Sequence, residues 1–295
     1  GPRSLLAKVA AGDHEARARV AAGYAAEVGF YTQLAGDLAI RIPTCWYAAI
    51  AEDRLSFTLL LEDLAPRKPG VQAEGCTPQR AAAAIRNLAG LHAPRWNDPA
   101  LHDTGFLLGT RGQKPVDFLA GLAGPAIHTF VQRYNQLLSS EDIATLSAVA
   151  AVISDWIIAP QTPFTIVHGD YRLDNLMFGE QSDDVVVLDW QTAALGAPTR
   201  DLAYFLGTCL DIDQRRRTER DLITLYHTEL EARGITDYDL QHCLRDYQRD
   251  QLQASMIICI GCIYATGTRS ENSDAMFLAM ARRSCAAIRD LGTLA

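Results

Sequence analysis

The chain has 295 residues, 48% of them hydrophobic and 21% charged, which describes an ordinary soluble protein with a core large enough to divide into two lobes. Its net charge of −8 argues against a nucleic-acid partner, because such proteins carry a basic face. Seven scattered cysteines, an odd number, exclude a regular secreted disulfide framework, and Cys259 and Cys262 read as buried core thiols in the apolar run MIICIGCIYA. That run is too short to span a bilayer, and no signal peptide precedes Ser4, so the expected location is cytoplasmic. The oligomeric state is not written in the sequence.

In chain order, RSLLAKVA reads as a strand with Lys8 at its end. A long helix follows from about Asp13, with Val20, Tyr24, Val28 and Tyr31 at helical spacing and Glu27 among them. Ile42-Pro43 breaks regularity, and Cys45 to Ile50 with Leu55 to Leu61 form a hairpin around Ala51-Glu52-Asp53-Arg54. Residues 65–70 are a Pro/Gly-rich connection. Thr77-Pro78 starts a helix to about His92. Further helices are expected over 116–138, 141–158, 199–210, 215–233, 237–266 with a break at Gly261, and 272–291. The Arg215-Arg216-Arg217 cluster, followed by Glu219 and Asp221, reads as a solvated helix start.

Between these helices lies the stretch that carries the chemistry. Thr165-Ile166-Val167 leads into His168-Gly169-Asp170, and Asn175 follows five residues after Asp170. A second apolar strand, Val185 to Leu188, delivers Asp189. Two carboxylates and one carboxamide thus stand at the ends of short buried strands. Phosphoryl transfer needs that set: Asp170 to orient the attacking hydroxyl, Asn175 and Asp189 to offer oxygens to Mg²⁺ on a nucleotide's phosphates. For Arg172 two readings stay open, neutralising charge on the transferred phosphoryl group or pairing with Asp174. Motifs of rival chemistries, G-x-S-x-G, H-E-x-x-H, G-x-x-x-x-G-K-[ST] and G-x-G-x-x-G, are absent from the sequence.

The spacing H-x-D-x-x-x-x-N, then a strand ending in Asp, resembles the catalytic and metal loops of the protein-kinase-like superfamily. HGD…N…LDW looks like its aminoglycoside phosphotransferase and choline kinase branch, and HGDYRLDNLMF with VVVLDWQ looks closest to bacterial ecdysteroid kinase-like proteins. The resemblance runs from Ser4 to about Tyr247. It implies an α+β, bilobal fold: a small nucleotide-binding lobe over 1–64 and a large helical lobe over 65–295. It implies ATP and Mg²⁺ as cofactors and a small-molecule hydroxyl as acceptor. Lys8 resembles the lysine that contacts the α- and β-phosphates, and Glu27, in EVGFY, the helix glutamate that pairs with it at about 4 Å or less. Leu61, Glu62, Asp63 and Leu64 take the place of the interlobe hinge that holds adenine. The matching His supports the loop, so His168 is expected to be structural, as are Asp201, accepting backbone hydrogen bonds from the catalytic loop, and His92. The resemblance also implies two strands and a phosphate-covering loop ahead of Lys8. Only seven residues precede it, so a further N-terminal segment is expected.

The acceptor itself is not readable. Asp211 and Asp213 suit a cation; the Ile, Tyr and Met residues of 256–264 suit an apolar wall. Alternatives are a kinase of a hydroxy acid or hydroxyacyl thioester, and an inactive nucleotide-binding pseudokinase.

Overall fold

A computed structural model describes residues 1–109, 113–160, 162–181, 183–264 and 270–295. Strands β1 (Leu5–Val9), β2 (Cys45–Ile50) and β3 (Phe57–Glu62) form an antiparallel sheet in the order β1-β3-β2. The alternation of β3 is the period of a strand with one buried face: Phe57, Leu59 and Leu61 are buried, while Thr58, Leu60 and Glu62 are half-exposed. Its start lies two residues later than the sequence suggests. Leu55 and Ser56 belong to the turn, where Leu55 donates to the Asp53 carboxylate and Ala51 to the Ser56 carbonyl. Register sets Lys8 opposite Leu59, on the buried side of the sheet.

Helix α1 (His14–Gly29) begins at Asp13, whose carboxylate accepts from the Ala16 N–H at 2.8 Å. It runs on into a wide turn over Phe30–Leu34. The Pro/Gly-rich connection is not merely a loop. Its residues Lys68–Pro69 form β4, which pairs with β6 (Leu176–Phe178), itself paired with β7 (Val185–Val187). Strand β5 (Thr165–Val167) pairs with β8 (Ala194–Gly196).

The remainder is helical: α2 (Pro78–His92), α3 (Gln113–Tyr134), α4 (Ser140–Ile158), α5 (Thr199–Cys209), α6 (Ile212–Ala232), α7 (Leu240–Arg249), α8 (Leu252–Tyr264) and α9 (Glu271–Leu291). One hydrophobic core joins α1, β3, α2, the short strands, α5 and α6. A second joins α3, α4, α8 and α9, and takes in Tyr204.

Two expectations need correction. The helix over 237–266 breaks at Asp250-Gln251, between α7 and α8, not at Gly261; residues 265 and 266 lie outside the described residues. The buried Asp250 carboxylate explains the break. It accepts from Trp156 Nε1 at 3.2 Å and Thr199 Oγ1 at 2.6 Å, so α4 and α5 pull it inward. Gly261 instead sits inside α8, beside Phe277. Nor is the arginine cluster wholly solvated. Arg215 is only 1% exposed; it pairs with Glu219 at 2.7 Å and with Asp290, tying α6 to α9.

All seven cysteines are free thiols, and Cys259 and Cys262 are buried. Among the described residues no helix is long and apolar enough to cross a membrane.

Candidate active site

Strand β5 ends in a turn that only glycine makes easily. Gly169 has φ +81°, and a Cβ there would stand 2.5 Å from the Thr192 carbonyl oxygen. Asp201, fully buried in the first turn of α5, accepts from the backbone N–H groups of His168 at 2.6 Å and Gly169 at 2.9 Å. This is the expected structural role. His92 Nε2 lies 3.4 Å from the same carboxylate, and its Nδ1 lies 2.6 Å from the Tyr226 hydroxyl. Asp201→Ala is expected to destabilise the protein by about 2–5 kcal/mol, since two buried N–H donors would lose their acceptor. Denaturant unfolding measures it; a change below about 0.5 kcal/mol would contradict this account.

His168 spends both ring nitrogens on the loop. Nε2–H donates to the Leu188 carbonyl at 2.9 Å, and Nδ1 accepts from the Asp170 N–H at 3.2 Å, which fixes the neutral tautomer. The chain then turns through Leu173–Asn175. The Asn175 amide thereby reaches back, Nδ2 donating to the Asp170 carbonyl at 2.9 Å and to its Oδ2 at 3.0 Å. Arg172 Nε donates to the same Oδ2 at 3.2 Å, and its Nη1 to Asp174 at 2.9 Å. The Asp174 pairing is thus present, and so is a position beside Asp170. Burial alone would lower the Arg172 pKa, but Asp170 above all, with Tyr204 and Asp174 beside it, outweighs this and raises it.

The other Asp170 oxygen accepts from Tyr204 Oη at 2.9 Å. Tyr204 is 1% exposed. Burial first, and then the Asp170 charge, push its phenol well up, so it is an O–H donor. Sequence reading missed Tyr204. The available signal was its spacing: it follows Asp201 by three residues on α5 and so shares its helix face. Gln72 was missed too. Fully buried, it accepts from the Leu173 N–H at 2.8 Å and donates to the Thr208 carbonyl at 3.0 Å, pinning the loop to α5.

The β6–β7 ladder sets the second acid beside the first. Leu176 pairs with Val187, and the Leu188 N–H donates to the Asn175 carbonyl at 2.9 Å, so Asn175 and Asp189 flank adjacent strand ends. Asp189 is held in the left-handed region, φ 65° and ψ 71°. Such a backbone costs a non-glycine residue of order 1–3 kcal/mol and turns the carboxylate out of the strand. Lys8 Nζ reaches Asp189 Oδ1 at 2.6 Å and Glu27 at 2.7 Å. The Lys8–Glu27 pairing anticipated from the sequence is therefore present. Burial alone would lower the Lys8 pKa, but Glu27 and Asp189 raise it. Burial raises that of Glu27, which is 1% exposed, and Lys8 offsets only part of this. The Lys8 side-chain ammonium resting on Asp189 shows that this spot takes positive charge. The Asp189 carboxylate and the Asn175 amide oxygen are hard donors that fit a divalent cation of the Mg²⁺ type.

At the expected hinge, Leu61 and Leu64 are buried, and Glu62 is drawn to Arg41 at 3.0 Å and to the Thr44 N–H at 3.0 Å. Arg41 holds the Glu62 carboxyl below its usual range. Asp63 accepts from the Ala65 N–H at 3.0 Å.

Known proteins resemble this chain in fold and in part of its sequence. Among solved structures, the Plasmodium vivax ethanolamine kinase superposes with a TM-score of 0.51 at 12% identity, covering 99% of this chain and 77% of that one. The GDP complex of wild-type aminoglycoside 2'-phosphotransferase-IIIa also gives 0.51 at 12% identity, covering 96% and 93%. In sequence, the human (Homo sapiens) acyl-CoA dehydrogenase family member 11 is 29% identical over 128 residues, 42% of this chain but only 14% of that protein's length. The family model described as the phosphotransferase enzyme family, APH, matches residues 13–239, both acids and the amide included. This chain belongs to that family and has its α+β, protein-kinase-like fold.

Proposed function

We propose that the chain is a small-molecule kinase that transfers the γ-phosphoryl group of ATP, bound with Mg²⁺, to a hydroxyl group. The observation that carries this reading is the junction of Lys8, Glu27 and Asp189 beside the Asp170–Asn175 pair. We take residues 1–64 as the nucleotide lobe and 65–295 as the lobe holding the acceptor. Lys8, aimed by Glu27, binds the α- and β-phosphates, with adenine against residues 61–64. Bound Mg²⁺ would supply charge neutralisation on the phosphate oxygens, with Asn175 and Asp189 holding it. Asp170 accepts a hydrogen bond from the acceptor hydroxyl, aligns its oxygen on the γ-phosphorus and takes the proton as the bond forms. Arg172, beside Asp170, neutralises charge on the transferred group.

A second reading keeps the chemistry and places the hydroxyl on a hydroxy acid or an acyl thioester. The likeness to a segment of an acyl-CoA dehydrogenase family member favours it. An ATP-consumption screen over amino sugars, amino alcohols, sterols, hydroxy acids and hydroxyacyl thioesters tests both. ADP release that tracks one acceptor is expected. Failure to bind Mg²⁺-ATP would instead identify a scaffold.

A charge swap probes the small lobe. Lys8→Glu combined with Glu27→Lys is expected to stay at least about a hundredfold below wild-type turnover, because the phosphates need the cation on the strand and not on the helix. Wild-type rates from the swapped pair would make Lys8 an ordinary surface lysine.

A further inference from the structure

The sequence leaves two candidate walls for the acceptor, one acidic and one apolar, and the structure separates them. Asp211 caps α6, accepting from the Gln214 N–H at 2.9 Å, and Asp213 lies 3.5 Å from Arg216. On the catalytic loop, Asp174 serves Arg172 and the Gln72 N–H. At the start of α9, Asp274 accepts from Tyr134 Oη at 2.9 Å. Each of these carboxylates is already engaged, so a polycation would have to compete for them.

The apolar side has the opposite character. Helix α8, LQASMIICIGCIY, carries no charged residue. A helix this apolar is normally covered all round. Yet Ile257 and Ile260, which also pack against the second core, are half-exposed with Gly261, and Tyr264 is 45% exposed, at the i, i+3, i+4, i+7 spacing of a single stripe. The stripe adjoins the catalytic loop through α9. A Cβ on Gly261 would stand 3.7 Å from the Phe277 ring, and the neighbouring Met276 sulfur lies 3.1 Å from Arg172 Nη1. Arg172 in turn contacts Asp170. Tyr204 gives a second link, since it touches Asp170 and packs in the same core as α8.

We propose that the α8 stripe, with Met276 and Phe277, seats the apolar body of the acceptor, an aliphatic or alicyclic alcohol whose hydroxyl is thereby presented to Asp170. This rests on the phosphotransferase reading for the identity of the ligand as acceptor. It does not rest on it for binding, which is measured separately. Straight-chain diols from butanediol to decanediol serve as probes in calorimetry on the full chain, with choline and kanamycin as cationic counterparts, at about 0.15 M ionic strength to screen nonspecific attraction. Affinity is expected to rise roughly two- to fourfold per added methylene. Ile260→Glu, at a half-exposed position, is expected to flatten that series and leave Mg²⁺-ATP binding unchanged. A flat series in the wild type, tighter binding of choline or kanamycin, or an unaffected series in Ile260→Glu would each overturn the proposal. If the series holds and no acceptor of any class receives phosphate, the phosphotransferase reading falls and the apolar seat stands. If phosphate passes preferentially to kanamycin or choline, the seat falls and the kinase stands.

Discussion

Asp170→Asn is expected to lower turnover by about 10²–10⁴-fold while Mg²⁺-ATP affinity stays within about threefold of wild type. The split follows from what Asp170 touches. Its oxygens face Tyr204, Arg172 and Asn175, and its proposed partner is the acceptor hydroxyl. An amide keeps the size and loses the charge that aligns and receives the proton. The substitution also turns an N–H₂ toward one of three donors, so its unfolding midpoint should be measured beside its rate. Single-turnover kinetics with the preferred acceptor, and calorimetry with Mg²⁺-ATP, give the two numbers. Turnover near wild type would remove Asp170 from the chemistry. Tyr204→Phe is a milder companion. It frees one Asp170 oxygen, and about a tenfold fall in turnover with unchanged nucleotide affinity is expected.

Asp189→Asn should show the opposite split, with Mg²⁺-ATP affinity falling by about a hundredfold or more and turnover lost with it. Asp189 does two things at once. In the proposed site it supplies the anionic oxygen a hard cation requires, and in the structure it balances Lys8 at 2.6 Å. In Asp189→Asn the ammonium keeps only Glu27, and the nucleotide meets a site with one negative charge fewer for its cation. A titration comparing ATP with and without Mg²⁺ isolates the metal's part. The wild type should show a large Mg²⁺ enhancement and the variant almost none. Equal enhancement in both would place the cation elsewhere.

The grouping of the candidate site's central residues was legible because its information is local. Asp170, Asn175 and Asp189 lie within one stretch, and the turn and strand ends that present them follow from Gly169 and the Val run. Lys8 and Glu27 were legible only through their order ahead of that stretch, since each alone is an ordinary surface charge. What stayed hidden depends on contacts far apart in the chain. Tyr204 meets Asp170 across 34 positions, and Gln72 meets Leu173 across 101. Arg215 looked solvated because a run of arginines normally is, and nothing nearby announces that Asp290, 75 residues on, draws one of them inside. The break at Asp250 was unreadable for the same reason: RDYQRDQLQ is good helix sequence until Trp156 and Thr199 claim its carboxylate.

Helix α1 does more than carry Glu27. Phe30, at its end, stacks on Trp190 with ring centroids 3.6 Å apart and planes within 5°, and both rings are fully buried. Farther back, Gly23 lies so close to Gln191 that a Cβ would stand 3.3 Å from its carbonyl. The turn after Asp189 is therefore clamped to α1 at two points, and the stacking alone contributes about 0.5–1.5 kcal/mol beyond its buried area. Helix and turn are therefore expected to open as one cooperative unit. In native-state hydrogen exchange, amides of α1 and of residues 190–192 should share a single opening free energy, and Phe30→Ala should lower both together. A hinge that swung α1 outward would take the Asp189 loop along, so Lys8 would lose Glu27 and Asp189 together.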